Sequence, residues 1–490
     1  MSAPHIPTVP VSKEFSALCG PVPAGTSGPE QAGCDDPCLQ SGLGNLRETD
    51  AGRIFEMAFS TPATDVSAAA SSLPVSSCSV RPTASASVVE ATAPLDVATV
   101  AVRSGLASDA HHGAVVPPIH LSSTFTFQGF GEPRTFDYTR SGNPTRALLA
   151  EALAGLEGGA GAVVTSTGMS AIHLVLQLLS PGDLLVAPFD CYGGTHRLIS
   201  ACAKKKLFEV RFVDLSDAAA RDEALALGPK LVWVETPSNP LLRITDIEAV
   251  CVGARRVGAL VAADNTFLSP VLQRPLELGA DIVVHSTTKY LNGHSDVVGG
   301  AVIAKDKALA DDLAWWANCL GITGAPFDSY LTLRGIRTLH PRIQAHLENT
   351  AALVELLDAH PAVRRVYYPG LPSHPGHELA ARQQKGFGAM LSFELEGGID
   401  AVKSFLDGLS HFSLAESLGG VESLIAHPAT MTHAAMDPEA RRAAGIGDGL
   451  LRISVGIEGK ADLCRDVRAA LDRVASPSVQ GEVPALQAAC

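Results

Sequence analysis

Apolar residues recur in short continuous runs along the middle of the chain, with polar segments between them. Seven runs are rich in β-branched residues; in order they read GAVVTS, DLLVAPFD, LFEVRFVD, KLVWVE, GALVAADN, DIVVHS and GGAVIA. Segments with helical spacing of apolar residues, such as SAIHLVLQLL and DIEAVCVGARRVG, separate most of them. Continuous apolar strands that alternate with helices predict an α/β domain with a mostly parallel, seven-stranded sheet that is covered on both faces.

The pattern changes after about residue 340. ENTAALVELLDAH has helical periodicity, GFGAMLSFEL alternates as a strand does, and another helix-and-strand series continues through LLRISVGIE. We therefore predict a smaller C-terminal α+β domain over residues 341–475, after a larger domain over residues 147–340. Residues 97–146 are expected to form an N-terminal arm, and residues 476–490 a tail.

Residues 1–96 have a different composition, dominated by Ala, Ser, Thr, Pro and Val. Such a segment buries too little apolar surface to offset its ordering entropy, so it is predicted to be disordered. It contains ten acidic and four basic residues, whereas transit peptides are rich in arginine and poor in acidic residues. We interpret it as a dispensable extension, or as the product of an upstream start codon, and not as a targeting segment.

Charge and composition narrow the function classes. The net charge of −14 argues against a nucleic-acid-binding protein, which needs a basic surface, and no apolar run approaches the ~18 residues of a membrane span. The 10 cysteines and 16 histidines show no zinc-type spacing, so free thiols in a reducing cytoplasm and no metal site are expected. These features favour a soluble cytoplasmic enzyme that acts on small molecules.

The segment STTK, Ser286–Lys289, directly follows the apolar strand DIVVH. S-x-x-K is the nucleophile motif of serine acyl-enzymes, but its companions S-D-N and K-T-G occur nowhere in the chain, and here the serine ends a strand. The alternative is an aldehyde cofactor. Lys289 would then form a Schiff base with it, while Ser286 and Thr288 bind its phosphate.

Three other motifs supply what a pyridoxal phosphate (PLP) site needs. Asp264 ends a strand 25 residues before Lys289, where a carboxylate would keep the pyridinium nitrogen protonated. The turn TSTGMSA leads into a helix, so the backbone amides of Gly168 and Met169 would bind phosphate at the helix N-terminus. Tyr192 would stack on the ring. Each residue alone also fits an ordinary cap, turn or core role, but together and in this order they predict a PLP site.

In these motifs the chain resembles the PLP-dependent transsulfuration enzymes, the cystathionine γ-synthase and γ-lyase family. The resemblance runs from about Val97 to Val474 without a large gap. Its motifs are YTRSGNPT, STGMSA, DCYGGTHR, ETPSNP, ADNTF, HSTTKYLNGHSDVVGG, FDSYLTLRGIRTL, GFGAML, LAESLGGVESLIAHPATMTH and LLRISVGIE. It implies the aspartate-aminotransferase-like fold, called fold type I, with PLP as the cofactor.

The resemblance also implies residue roles at the cofactor. Lys289 and Tyr192 would be catalytic, Lys289 as Schiff-base lysine and then as general base. The implied cofactor-binding set is Lys289, Asp264, Ser286, Thr288, Gly168, Met169, Tyr192 and Asn239. Tyr138 and Arg140 would reach the phosphate of a neighbouring subunit, which implies a homodimer with shared sites and a tetramer of two such dimers.

Substrate contacts follow from the same resemblance. Arg452 would pair with the substrate α-carboxylate, and Ser417 would lie beside the reactive lysine. Glu416 would meet the amino group of an incoming cysteine, and Arg197 would bind a distal carboxylate on the γ-substituent, although a solvated helix arginine is the simpler interpretation of Arg197. His285 and His294 flank the lysine motif and are assigned no chemistry.

The implied reaction is γ-replacement, in which L-cysteine displaces the acyl group of O-succinyl- or O-acetyl-L-homoserine and gives L-cystathionine for methionine biosynthesis. ITGAPFDSY and GFGAMLSFEL are similar to the bacterial family members that synthesise cystathionine. A γ-lyase or a homoserine sulfhydrylase on the same site remains an alternative. A non-catalytic PLP-binding paralogue is a more remote one.

Overall fold

The computed structural model describes residues 95–434, 439, 441 and 444–475. Nearly all of the extension predicted over residues 1–96, and the whole tail predicted over residues 476–490, lie outside the described residues. Among the helices described, none is both long enough and apolar enough to cross a bilayer.

Helices and strands alternate through most of the described chain. The helices are α1 Val97–Arg103, α2 Pro144–Glu157, α3 Gly168–Val175, α4 Gly193–Lys204, α5 Ala218–Ala226, α6 Ile247–Arg256, α7 Ser269–Leu272, α8 Lys307–Leu320, α9 Pro326–Ile336, α10 Leu339–Asp358, α11 His377–Gln383, α12 Gly398–Leu406 and α13 Lys460–Ala475. The strands are β1 Gly161–Thr165, β2 Leu184–Pro188, β3 Glu209–Val213, β4 Leu231–Glu235, β5 Leu260–Asp264, β6 Ile282–His285, β7 Gly300–Ala304, β8 Val363–Tyr367, β9 Met390–Leu395, β10 Ser413–Leu414, β11 Leu424–Ala426 and β12 Leu450–Ser454.

The first seven strands form one sheet in the order β1-β7-β6-β5-β4-β2-β3. Strand β7 is antiparallel to both of its neighbours, and the remaining pairs are parallel. Each of the seven apolar runs in the sequence contains one of these strands. The predicted seven-stranded, mostly parallel sheet is confirmed.

Both faces of this sheet are covered, which explains why its strands are apolar without alternation. Ala262, Ile282 and Val284 belong to the apolar cluster on one face, which includes residues of α3 and α8. Their neighbours Ala263 and Val283 point to the opposite face and join the cluster that includes residues of α2. Side chains alternate between faces along a strand, so a strand buried on both faces needs an apolar residue at nearly every position.

The second sheet has five strands in the order β10-β11-β12-β9-β8. Its centre is the antiparallel pair of β9 and β12, with Arg452 opposite Ser392. Helices α10, α12 and α13 contribute to a separate apolar cluster with these strands, built around side chains such as Phe393 and Phe405. This arrangement confirms the predicted smaller α+β unit after the large sheet.

The carboxyl ends of β4, β5 and β6 lie side by side. Glu235 at the end of β4 pairs in register with Asp264 at the end of β5, and Asp264 pairs with Val284 of β6. The chain then turns through Ser286–Lys289 directly beyond β6. Ligands of open α/β sheets bind beyond the carboxyl ends of the strands, so this edge is where a functional site is expected.

Helix α9 packs tightly against the segment that follows Lys289. A Cβ atom added at Gly335 would lie 2.2 Å from the carbonyl oxygen of Asn292. Gly335 is buried, and the atom in the way is backbone that cannot rotate aside. The absence of a side chain at this position therefore sets the distance between α9 and the lysine segment.

Gly335→Ala is expected to destabilise the fold by about 1–3 kcal/mol, because overpacking outweighs the better helix propensity of alanine. The matched control is Gly155→Ala in α2, where the added Cβ would make an ordinary 3.4 Å contact with Val100. That control should keep or raise the melting temperature, since only the propensity gain of up to about 1 kcal/mol remains. Equal melting temperatures for the two variants would contradict the close approach at α9.

Candidate active site

Lys289 lies in the turn after β6, and its Nζ donates a hydrogen bond to Ser417 Oγ at 2.7 Å. The pKa of Lys289 is lowered to about 8. Burial is the largest cause, and the nearby positive charge of Arg452 adds to it, whereas the negative charge of Glu416 acts in the opposite direction. An amine with this pKa is neutral in a sizeable fraction of molecules near neutral pH. It can therefore act as a nucleophile or as a base.

Ser417 joins the lysine to the second sheet. Its backbone has φ of 99°, a left-handed value that costs energy for a residue with a side chain. Its hydroxyl accepts the lysine hydrogen bond, while its carbonyl oxygen accepts a bond from Arg452 Nη2 at 3.0 Å. The strained backbone thus allows one residue to contact both cations.

Arg452, on β12, is only 4% exposed. Its Nη1 donates to Asn239 Oδ1 at 3.0 Å, and its Nε has no hydrogen-bond partner among the described residues. Burial lowers the pKa of Arg452 to about 10, so the guanidinium still carries its charge at neutral pH. A buried cation that contacts only neutral oxygens and keeps a free N–H is well suited to bind a carboxylate.

Asp264 supplies the acid at the strand edge. It accepts the backbone N–H of Thr266 at 3.0 Å. Burial raises the pKa of Asp264, and the hydrogen bonds from Thr266 and the charge of His285 oppose that rise. No ion pair joins Asp264 to a cation among the described residues. A pyridinium nitrogen would be such a partner.

A backbone cradle lies on the other side of the lysine turn. Helix α3 begins at Gly168, and its N-cap Thr167 accepts the N–H of Ser170. A Cβ atom at Gly168 would lie 2.8 Å from Cβ of Ser286, so glycine permits the helix N-terminus to approach the serine. Amides at a helix N-terminus next to a hydroxyl form an arrangement that binds phosphate. The predicted pair Gly168 and Ser286 is therefore in close contact.

The hydroxyl of Thr288 makes two contacts with the loop before β7. Its hydroxyl accepts the N–H of Gly299 at 3.0 Å and lies 3.3 Å from the carbonyl oxygen of the same residue. This double contact fixes the loop that leads into β7. Binding of phosphate by Thr288 would require its hydroxyl to leave the Gly299 carbonyl, and that role stays a prediction.

Tyr192 precedes α4, and its side chain is 46% exposed. A Cβ atom at Gly194 would lie 2.5 Å from the Tyr192 ring and 2.8 Å from the sulfur of Met169. Met169 and the tyrosine ring are thus neighbours above the start of α3. Tyr192 is thus half-exposed beside the start of α3, and its stacking on a cofactor ring stays a prediction.

Tyr138 and Arg140 lie on the N-terminal arm and have no hydrogen bond or ion pair with the phosphate cradle among the described contacts. The Arg140 guanidinium lies 5.5 Å from the centre of the Tyr138 ring, and its Nε donates to Asn318 Oδ1 at 3.1 Å. Arg197 is exposed on α4, and Glu416 is exposed beside Ser417. The structure thus places neither Arg197 nor the arm residues in a described contact with Lys289.

Two buried acids near the site were not predicted from the sequence. Glu235 is 6% exposed and accepts the backbone N–H of Tyr192 with both carboxylate oxygens, at 3.0 and 2.9 Å. Glu157 on α2 is fully buried and lies 2.6 Å from His285 Nε2. The available signal was only position: Glu235 ends an apolar strand next to the strand that ends in Asp264. His285, which was assigned no chemistry, packs on Glu157 within the fold.

The residues present fit PLP. A lysine with a lowered pKa, a half-buried acid with no ion pair among the described residues and a glycine at a helix N-terminus match its aldehyde, its ring nitrogen and its phosphate. The unpaired N–H of Arg452 remains for the carboxylate of an amino-acid substrate.

Removing a positive and a negative neighbour of Lys289 should move the pKa of the lysine in opposite directions. In the cofactor-free protein, Arg452→Met removes a neighbouring positive charge and should raise the pKa of Lys289 above about 8. Glu416→Gln removes a neighbouring negative charge and should lower it. The rate of Lys289 modification by an amine-reactive reagent, followed by mass spectrometry as a function of pH, measures both shifts. Shifts of the same sign in both variants would contradict the described electrostatics.

Comparison with known proteins points to one family. The model of the Cys/Met metabolism PLP-dependent enzyme family matches residues 98–472. Cystathionine gamma-synthase of Escherichia coli (strain K12) is 63% identical over 371 residues, which are 76% of this chain and 96% of that protein. Cystathionine beta-lyase of Lactococcus lactis subsp. cremoris (strain MG1363) is 47% identical over 77% of this chain and 99% of its own length.

A solved structure agrees with this. The crystal structure of cystathionine gamma synthase from Xanthomonas oryzae pv. oryzae in complex with cystathionine is 65% identical, with a TM-score of 0.77, and the match covers 78% of this chain and 99% of that one. The predicted fold type I architecture is confirmed.

Proposed function

The chain belongs to the Cys/Met metabolism family of PLP-dependent enzymes, and we propose that it joins L-cysteine to an O-acylated L-homoserine to give L-cystathionine. In this reaction the cysteine sulfur forms a bond to Cγ of the homoserine unit, the Cγ–O ester bond breaks, and the acyl group leaves as a carboxylate. The observation that carries the proposal is the 63% identity with the Escherichia coli γ-synthase across 96% of its length.

PLP supplies an aldehyde that reacts with amines and a ring that withdraws negative charge from the substrate Cα. Lys289 would hold the aldehyde, and its amine would move protons at Cα and Cβ of the substrate. A pKa of about 8 suits this work, since both protonation states are populated near neutral pH. Asp264 would pair with the ring nitrogen and keep it protonated.

The other polar residues orient the reactants. Arg452 binds the substrate α-carboxylate through the N–H that has no protein partner. Ser417 holds the lysine amine in place by the 2.7 Å hydrogen bond. Glu416 is exposed at the mouth, where it would attract the amino group of cysteine, and Arg197 would bind a carboxylate carried by the acyl group. Gly168, Met169 and Ser286 would bind the phosphate, and Asn239 the ring oxygen.

A second copy of the chain would complete the site. Phe130, Leu121 and Phe127 are highly exposed on the N-terminal arm, which is unfavourable for a monomer in water. Tyr138 and Arg140 belong to the same arm and lack a partner in the phosphate cradle of their own chain. We therefore propose a homodimer in which they reach the neighbouring phosphate, and a tetramer of two such dimers. A reducing cytoplasm would suit the free thiols Cys191, Cys202 and Cys251.

Product analysis tests the proposed direction. Purified protein is incubated with cysteine and O-succinyl- or O-acetyl-L-homoserine, and separately with cystathionine alone. We expect cystathionine to form faster than it is degraded, and Lys289→Ala to lose at least about 10³-fold in rate because the proton transfers have no base. If release of 2-oxobutyrate and cysteine from cystathionine is the main activity, the enzyme is a γ-lyase and not a synthase. Pyruvate and homocysteine would indicate a β-lyase.

Subunit complementation tests the shared sites. Lys289→Ala and Arg140→Ala are each expected to be nearly inactive as homodimers. In a mixed dimer both defects fall in one site and the other site is intact, so random reassociation should restore about a quarter of wild-type activity. No recovery in mixtures that size analysis shows to contain mixed dimers would place Arg140 in the site of its own chain.

A further inference from the structure

Glu235 contacts the site without having a place in the mechanism described above. It ends β4, and both of its carboxylate oxygens accept the backbone N–H of Tyr192, which lies 43 residues earlier in the chain. Its in-register neighbour across the sheet is Asp264. The Glu235 carboxyl group therefore fixes the backbone of Tyr192, which is expected to stack on the ring, to the end of β4. The neighbouring strand β5 ends in Asp264, which is expected to bind the ring nitrogen.

Acids lie near Glu235, and none of the residues that the structure describes forms an ion pair with it. Asp264 lies on the adjacent strand, and Asp190 precedes Tyr192 in the loop before α4. The nearby Arg243 pairs with Asp190 at 3.0 Å. Cys191, in the same loop, is buried, and burial raises the pKa of its thiol well above the usual range. A second negative charge at Glu235 would have no counter-charge in this buried pocket.

Burial is the largest cause that raises the pKa of Glu235 well above 4.5, and the charge of Asp264 raises it further. The Tyr192 N–H and the Trp233 side chain act in the opposite direction, and the charge of Asp190 adds to the rise. Two acids on adjacent strand ends cannot both ionise cheaply in a site of low polarity. In the neutral form one of the two oxygens becomes a hydroxyl and the other stays a carbonyl oxygen, so the Tyr192 N–H is then accepted by the carbonyl oxygen alone.

We propose that Glu235 is a positioning residue that holds the Tyr192 backbone as a neutral carboxylic acid, and that Asp264 alone presents negative charge to the cofactor ring. Tyr192 is then fixed over the ring through its backbone, while its side chain stays free to stack. The pyridinium meets one carboxylate, and its charge is neutralised. The proposal rests on the PLP site and does not depend on which sulfur-transfer reaction the enzyme performs.

Three substitutions separate the role of Glu235 as an acceptor for the Tyr192 N–H from its neutral charge state. Glu235→Gln keeps the size and the carbonyl acceptor but cannot ionise. Glu235→Asp keeps the acid but withdraws it from Tyr192, and Glu235→Ala removes it. Glu248→Gln is the matched control, because it makes the same chemical change at a residue that is exposed in the first turn of α6.

The first readout is the melting temperature of the cofactor-free protein between pH 5 and pH 8.5. An acid with a raised pKa in the folded state contributes stability that is present below its unfolded pKa of about 4.5 and is lost as the pH rises toward the folded value. Glu235→Gln should therefore melt about 2–4 °C above wild type at pH 8.5, with the difference shrinking toward pH 5. If Glu235→Gln melts below wild type at pH 8.5 while Glu248→Gln melts like wild type, Glu235 is not a neutral acid and the proposal is wrong.

The second readout is PLP binding, measured by the visible circular dichroism of the holoenzyme and by cofactor dissociation. Glu235→Gln should retain the wild-type band and affinity. Glu235→Asp should weaken PLP binding about tenfold and reduce the band, because the Tyr192 backbone loses its acceptor. Glu235→Ala should do the same where it folds. Equal losses in Glu235→Gln and Glu235→Asp would show that the charge is needed and would overturn the proposal, whatever product the wild-type enzyme makes.

Discussion

Burial of unpaired charge is the constraint on which the whole site depends. The Arg452 guanidinium is 4% exposed and contacts only the neutral oxygens of Asn239 and Ser417. Asp264 lies half-buried at the sheet edge and has no ion-pair partner among the described residues, and burial lowers the pKa of the Lys289 amine to about 8. Such charges are costly to desolvate, so the surrounding fold must hold them in place. A pyridinium would suit the acid as its missing partner, and an amino-acid carboxylate would suit the arginine.

Two separately built sheets hold these charges at fixed positions. The large sheet delivers Asp264 and Lys289 at adjacent strand ends, where parallel pairing fixes their spacing. The small sheet delivers Arg452 from its central antiparallel strand. The strained residue Ser417 connects the two, since it accepts bonds from the lysine with its hydroxyl and from the arginine with its carbonyl. Strain of this kind persists only where the surrounding contacts enforce it.

The sequence predicts those features of the fold and site that depend on a single strand and the residues at its end. The apolar runs predict the seven strands because both faces of the sheet are buried, and Asp264 and Lys289 are recognisable because each directly follows such a run. The contacts of Glu235 with Tyr192 and of Arg452 with Asn239 join segments 43 and 213 residues apart, and no local pattern encodes them. The engagement of Thr288 with Gly299 likewise depends on how the loop into β7 folds back.

Lysine and arginine respond differently to the same buried surroundings, and this difference explains why each occupies its own position. Burial lowers the pKa of both, to about 8 for Lys289 and to about 10 for Arg452. The first value places proton transfer within reach at neutral pH, whereas the second leaves a permanent charge. Arginine also keeps a planar fork of donors after two of its nitrogens are bound within the protein. A lysine at position 452 would satisfy neither requirement, since it would lose charge on burial and would retain no directed donor for the substrate.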